Sequence, residues 1–346
     1  MRTSLLWVCV GIAVASGWLI SPAPARAQEA KPANKAAGKP EEKPAVEKPV
    51  VEKEEPKENF IRVVRNDKGV PQSMDTGIAS YVSADGKRPG VVVDLIGAVH
   101  VGDKAYYDEL NKKFEEYEVL LYELVAPPNT KIPKGAKSES NHPIAALQTG
   151  MKSMLGLEHQ LECVDYTKAN FVHADMSPEE FAKSMKDRGE SFTQMFLRAI
   201  GAGMAQQATG KQGTSDFEIL SALFSKNRSQ KLKLVMAGQF EDLDSQASLF
   251  DGPDGSTILT ERNRKAFEVL AKQLDAGKKK IGVFYGAAHL PDMDKRLITD
   301  FGMKRNGEIS WVKAWALEEG KKPEEKKTEE KKPESKPEEP KAEEKK

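Results

Sequence analysis

The chain has 346 residues, 53 basic and 53 acidic side chains, a formal net charge of zero and 2 cysteines. The charge balance disfavours a strongly basic nucleic-acid binder, and one cysteine beyond the leader rules out an intrachain disulfide scaffold. Length alone allows two average domains, but low-complexity ends reduce the foldable part to one domain, residues 59–317.

Residues 1–27 read as a secretory signal: Arg2, an apolar stretch from Leu5 to Ile20, then the small-x-small pattern Ala25-Arg26-Ala27. The other reading is an uncleaved anchor, but Gly11, Ser16 and Gly17 interrupt a run short of the roughly 20 residues a span needs. Cleavage leaves a periplasmic or secreted protein with no transmembrane span. Residues 28–58 and 318–346 alternate Lys and Glu with repeated Pro. Such segments bury too little apolar area to offset ordering entropy and are expected to be disordered. They are either tethers or solvated spacers, and their mixed charge favours spacers.

In the folded part, Phe60 to Val64 and Gly77 to Val82 are predicted strands, with a turn at Asn66-Asp67-Lys68-Gly69. Val91 to Ile96 is a short β-branched run and reads as a buried strand. Tyr106, Leu110 and Phe114 recur every fourth position within a predicted helix, Ala105 to Tyr117, and Val119 to Leu124 is the next strand. From Pro143 to about Arg228 the chain turns Met-, Ala- and Leu-rich, and a helical insertion or lid is expected over residues 143–228. Helical patterning falls on Ile144–Leu155, Pro178–Arg188, Phe192–Ala208 and Phe217–Phe224. Ser177-Pro178-Glu179-Glu180 has the pattern of a capped helix start. Arg262 to Ala276 is an amphipathic helix stopped by Gly277, Lys280 to Tyr285 a strand, Asp294 to Asp300 a short helix and Ile309 to Trp315 a last strand. The fold expected is α/β: a mixed sheet core of two strand–GxxH–helix–strand units with a helical insertion.

Two places share that layout. One strand runs into Gly97-Ala98-Val99-His100 and another into Gly286-Ala287-Ala288-His289. Functional groups of open α/β sheets gather at strand C-terminal ends, and glycine there permits close backbone approach. Two such units side by side would aim two imidazoles at one cleft. Glu123 ends the strand after the first unit and is expected on a strand neighbouring that of His100. A carboxylate after Leu120-Leu121-Tyr122 is costly unless paired or metal-bound. Two histidines and a carboxylate suit a divalent metal such as Zn, Mn, Co or Fe. Arg262 could hold a carboxylate or a developing anion.

Blander readings stand beside these. Glu123 is otherwise an ion-pair partner, and Arg262 otherwise pairs with Glu261 or a surface acid. His173 and Asp175 either act directly or hydrogen-bond a helix cap; Glu158-His159 offers further donors without a motif. His142 reads as a loop residue and Cys163 as buried and inert. There is no Walker loop, nucleophile elbow or dinucleotide fingerprint.

Gly97-Ala98-Val99-His100, Val101-Gly102-Asp103, Leu121-Tyr122-Glu123, Glu261-Arg262-Asn263 and Gly286-Ala287-Ala288-His289-Leu290 together resemble the TraB/GumN (TIKI-like) family. That family carries two GxxH motifs, a glutamate after the first and an arginine before the second. The resemblance covers about residues 60–315 and implies a fold akin to the erythromycin-esterase/ChaN-like group. It also implies a metal-dependent peptidase, because animal members cleave a secreted signalling protein with a divalent metal. By motif position His100, Glu123, Arg262 and His289 carry over. One departure is Leu290-Pro291-Asp292-Met293, where many relatives have a glycine-containing loop.

The function expected is a divalent-metal-dependent (Mn, Co or Zn) hydrolase of peptide or amide bonds, with a peptide or protein substrate. His100 and His289 would be ligands, Glu123 a ligand or general base, and Arg262 a holder of substrate or oxyanion. The alternatives are a non-catalytic module binding a peptide, a haem-like ligand or a cell-wall fragment in the same cleft, and a structural envelope protein. The sequence sets no oligomeric state.

Overall fold

The computed structural model describes residues 59–128, 130–136, 153–191, 193–194, 221–222, 224–225, 227–240 and 255–318. The leader, both charged ends, His142 and most of the helices expected at Ile144–Leu155, Phe192–Ala208 and Phe217–Phe224 lie outside these residues.

The fold is α/β, built on a mixed eight-stranded sheet. In chain order it comprises β1 (Ile61–Arg65), β2 (Pro71–Ser83), β3 (Val92–Ala98), β4 (Val101–Gly102), α1 (Lys104–Phe114), β5 (Val119–Tyr122), β6 (Glu158–His159), α2 (Gln160–Cys163), β7 (Phe171–His173), α3 (Pro178–Asp187), α4 (Arg228–Phe240), a π-helical turn (Thr257–Glu261), α5 (Arg262–Asp275), β8 (Lys280–Gly286), a 3-10 turn (Ala287–His289), α6 (Leu290–Thr299), β9 (Met303–Arg305) and β10 (Ser310–Ala316). The main path is β1-β2-β3-β8-β5-β7, with β9 and β10 also paired to β2, while β4 and β6 form a separate ladder.

The sheet has two halves. Around β2 every pairing is antiparallel, to β1, β3, β9 and β10. From β3 onward the β3–β8, β8–β5 and β5–β7 pairings are parallel. The parallel half is the more apolar: Val93, Leu95, Ile96, Leu120, Leu121, Ile281, Val283 and Phe284 are all buried, as expected where helices cover both faces of parallel strands. Phe114 of α1 packs on Phe284 and Phe171 at ring distances of 4.7 and 5.7 Å. Gly282 is required by this packing, since a Cβ there would lie 2.6 Å from Leu120 Cδ1.

α3 begins as the sequence predicts. Ser177 accepts from the Glu180 N–H, Glu180 reaches back to the Ser177 N–H, and Pro178 occupies the first turn. α6 starts earlier than its expected Asp294, because Pro291 sits in its first turn and fixes a helical φ.

Two sequence expectations change. β8 lies between β3 and β5, so the strand before Glu123 neighbours the strand before His289 and not the strand before His100. The 143–228 segment is not wholly helical, since β7 joins the main sheet beside β5. No helix among the described residues is long and apolar enough to cross a membrane.

Candidate functional site at the parallel strand ends

The C-terminal ends of β3, β8, β5 and β7 deliver the site. Ala98 and Gly286 are paired across β3 and β8, so both GxxH segments leave the sheet in register. Gly97 lies close to its surroundings: an added Cβ would be 3.1 Å from Gly77 O and 3.3 Å from Leu290 Cδ2. Tyr122 pairs with Phe284, and the Glu123 N–H then donates to Phe284 O at 3.2 Å. Tyr122 also pairs with His173, so Asp175 emerges one strand further along.

Glu123 is the hub. Its Oε1 accepts from Arg262 Nη2 at 2.7 Å and its Oε2 accepts from the Gly286 N–H at 2.6 Å. The strand that presents His289 therefore also holds the carboxylate through its own backbone. Arg262, the first residue of α5, turns inward rather than pairing with Glu261. Its Nε donates to Asp175 Oδ1 at 3.0 Å and its Nη2 to Asp175 Oδ2 at 2.6 Å. Glu261 instead meets Arg264 and Arg188. Arg262 is 1% exposed, and Glu123 and Asp175 are 5% and 2% exposed. A buried cation held by two buried anions has its desolvation cost offset only by this geometry.

His289 is fully buried. Its Nδ1 is 2.6 Å from Asn263 Oδ1, and its ring packs edge-on against Tyr285 at 5.3 Å. Its Nε2 has no hydrogen-bond partner and lies 3.6 Å from Glu123 Oε1. His100 is buried at the end of β3, and its charge state influences both Glu123 and His289. The His100 carbonyl accepts from the Gln160 N–H at 2.9 Å, and Val101 pairs with His159, which brings the second histidine-bearing segment to this corner.

The electrostatics follow from burial and charge. Burial would raise the Glu123 carboxyl, but Arg262 foremost outweighs it and brings the group down to about 2. Burial pushes the His289 imidazole down to about 4 against the pull of Glu123. Burial also acts to lower the Arg262 guanidinium, and Asp175 and Glu123 reverse that and raise it. At neutral pH the site thus contains a carboxylate, a guanidinium and a neutral imidazole.

A divalent cation fits this donor set in one specific respect. His289 Nε2 is a buried nitrogen without a hydrogen-bond partner, facing a carboxylate oxygen. The donor types, two imidazoles and a carboxylate, suit Zn, Mn or Co. Among the described residues no three His, Cys, Asp or Glu side chains are already gathered in metal-holding geometry. Glu123 would have to share Oε1 with Arg262 to serve as a ligand.

Sequence reasoning assigns Asp175 too little weight and Asn263 no role. Asp175 follows a three-residue strand in a segment read as helical, and only its position after Phe171-Val172-His173 signals a strand end. His173 donates from Nε2 to Leu124 O at 2.6 Å, which ties β7 to the segment after β5. Cys163 is only half-buried, contrary to its expected burial. Compared with protein-family models, with curated proteins and with solved structures, the chain gives no significant match.

Proposed function

We propose that the protein is an exported hydrolase of peptide or amide bonds, similar in its site to the TraB/GumN family, with a divalent metal held by His100, His289 and Glu123. The observation that carries this reading is the facing pair His289 Nε2 and Glu123 Oε1, 3.6 Å apart and both buried. A bare imidazole nitrogen opposite a carboxylate oxygen is unfavourable unless a cation or a donated proton stands between them. A metal bound there would polarise a scissile carbonyl or lower the pKa of a bound water.

The chain's own residues have separate tasks. Arg262 and the Gly286 N–H keep Glu123 ionised and fixed in orientation, so it serves as ligand or as proton acceptor. Asp175 fixes Arg262 in turn through two hydrogen bonds. With Nε and Nη2 engaged by these carboxylates, Arg262 acts here as a positioning residue. His289 contributes a neutral nitrogen, and burial excludes bulk water from the charged groups.

The test is purification of the protein without added metal, followed by elemental analysis and assay of a peptide library with Mn, Co and Zn added back. Retained metal and metal-dependent cleavage are expected in the wild type, with loss of both in His100→Ala and His289→Ala. No metal uptake by the wild type, with cleavage or peptide binding unchanged by either substitution, overturns the assignment. Peptide binding without turnover would support the ligand-binding module instead.

A further inference from the structure

We propose that Asn263, held by Asp292, is the positioning residue that fixes the ring tautomer of His289 and leaves Nε2 as its lone-pair atom. The inference rests on the reading of His289 as a working residue of the site. It concerns the ring itself, so it can be tested without any activity.

The hydrogen bonds of the Asn263 amide decide its orientation. Asn263 sits in the first turn of α5 and is completely buried. Its Nδ2 lies 3.1 Å from His289 O and 2.8 Å from Asp292 Oδ2, and both of these atoms only accept. The opposite orientation would set Oδ1 against two oxygens. The amide NH2 therefore points at this pair, and Oδ1 faces the ring, 2.6 Å from Nδ1. An amide oxygen cannot donate, so the imidazole donates from Nδ1. A neutral imidazole carries one N–H, so Nε2 is bare. That is the nitrogen facing Glu123.

Asp292 is held as well. Its Oδ2 also accepts from Arg296 Nε at 2.6 Å. Arg296, Asp292, Asn263 and His289 thus form a continuous chain from a partly exposed ion pair to the buried ring. Asp292 belongs to the Leu290-Pro291-Asp292-Met293 stretch that opens α6. That stretch supplies the carboxylate that holds the amide. Both halves of the clamp sit at helix starts, Asn263 on α5 and Asp292 on α6, so backbone rigidity holds the ring in place.

The experiment is nitrogen NMR of the full chain labelled with 15N-histidine, at a pH where the rings are neutral. The chain has five histidines, and the His289 signals are assigned by their loss in His289→Gln. In the wild type Nδ1 is expected to be the protonated, pyrrole-type nitrogen and Nε2 the pyridine-type one. Asn263→Leu should lose that preference. The exchange Asn263→Asp with Asp292→Asn should retain it, because a carboxylate at position 263 can only accept from Nδ1. A wild-type ring protonated at Nε2, an unchanged tautomer in a folded Asn263→Leu, or a reversed tautomer in the exchange variant overturns the proposal. If Asn263→Leu does not fold, the wild type and the exchange variant decide it. Titration with cobalt alone provides a separate readout, with affinity expected to fall roughly 10- to 100-fold in Asn263→Leu and to return in the exchange variant. Absence of cobalt binding in the wild type would sink the metal-dependent reading and leave the tautomer result standing.

Discussion

The corner after β3 and the corner after β8 leave the sheet in register, Ala98 beside Gly286, and then part company. After the first, the chain runs into β4 and pairs with β6 before α1 begins. This corner is held by its backbone: the Tyr106 and Tyr107 hydroxyls donate to Gly97 O and Val99 O, and Gln160 N–H donates to His100 O. After the second, a 3-10 turn leads directly into α6, and the side chain of His289 is itself fixed by Asn263. Two similar four-letter motifs thus continue differently. One leads into a short two-stranded ladder, and the other directly into a helix.

The comparison breaks most severely at Arg262, which ties the start of α5 to the ends of β5 and β7. Arg262→Met leaves Glu123 and Asp175 buried without their cation. A loss of about 3–5 kcal/mol is expected in urea unfolding at pH 7, with partial recovery as acid protonates the carboxyls. A loss near zero would show that the carboxylates do not depend on this cation.

Acid separates the corners next. The His289 imidazole falls from 6.5 to about 4 on folding, so the unfolded chain binds the extra proton and stability drops as pH falls between these values. Glu123 falls from 4.5 to about 2, so its contribution is present above pH 4.5 and is lost as pH approaches 2. Metal-free protein should therefore lose unfolding free energy from about pH 6.5 downward in two overlapping stages. His289→Gln should remove the upper stage and keep the lower. An unaltered profile in that variant would assign the upper stage elsewhere.

Gly97→Ala tests the close approach at the first corner. The added methyl meets the Gly77 carbonyl and Leu290, and a cost of about 1–3 kcal/mol is expected by thermal unfolding. Because Leu290 follows His289, the same variant should also disturb the His289 ring signals. The smallest effect is expected from Ser177→Ala. Loss of the α3 cap should cost about 1 kcal/mol and leave the His289 ring unchanged, since Asp175 is held separately by Arg262.

What the sequence discloses is local. β3, β8, α5 and the capping box of α3 are each written in short patterns: β-branched runs, apolar residues at helical spacing, and Ser-Pro-Glu-Glu. Both GxxH corners are legible for that reason. Strand order is not, because nothing between residues 92 and 122 announces that β8 will insert between β3 and β5. β7 is hidden by brevity, since three half-buried residues carry no alternation to read. Asn263 is hidden because an amide beside an arginine at a helix start has many uses. Only its two acceptors and its ring partner single one out.

The late arrival of β8 has a kinetic consequence. Residues 280–286 form the middle of the parallel half, yet both of its neighbours are synthesised more than a hundred residues earlier. Until then β3 and β5 each present a bare apolar edge, which is a template for wrong pairing. Folding must close long loops before the central ladder can form, so it is expected to be slow for a chain of this size. A nascent or truncated polypeptide ending before residue 280 cannot complete the parallel ladder at all. For such a chain, binding by a chaperone competes with aggregation rather than with native structure.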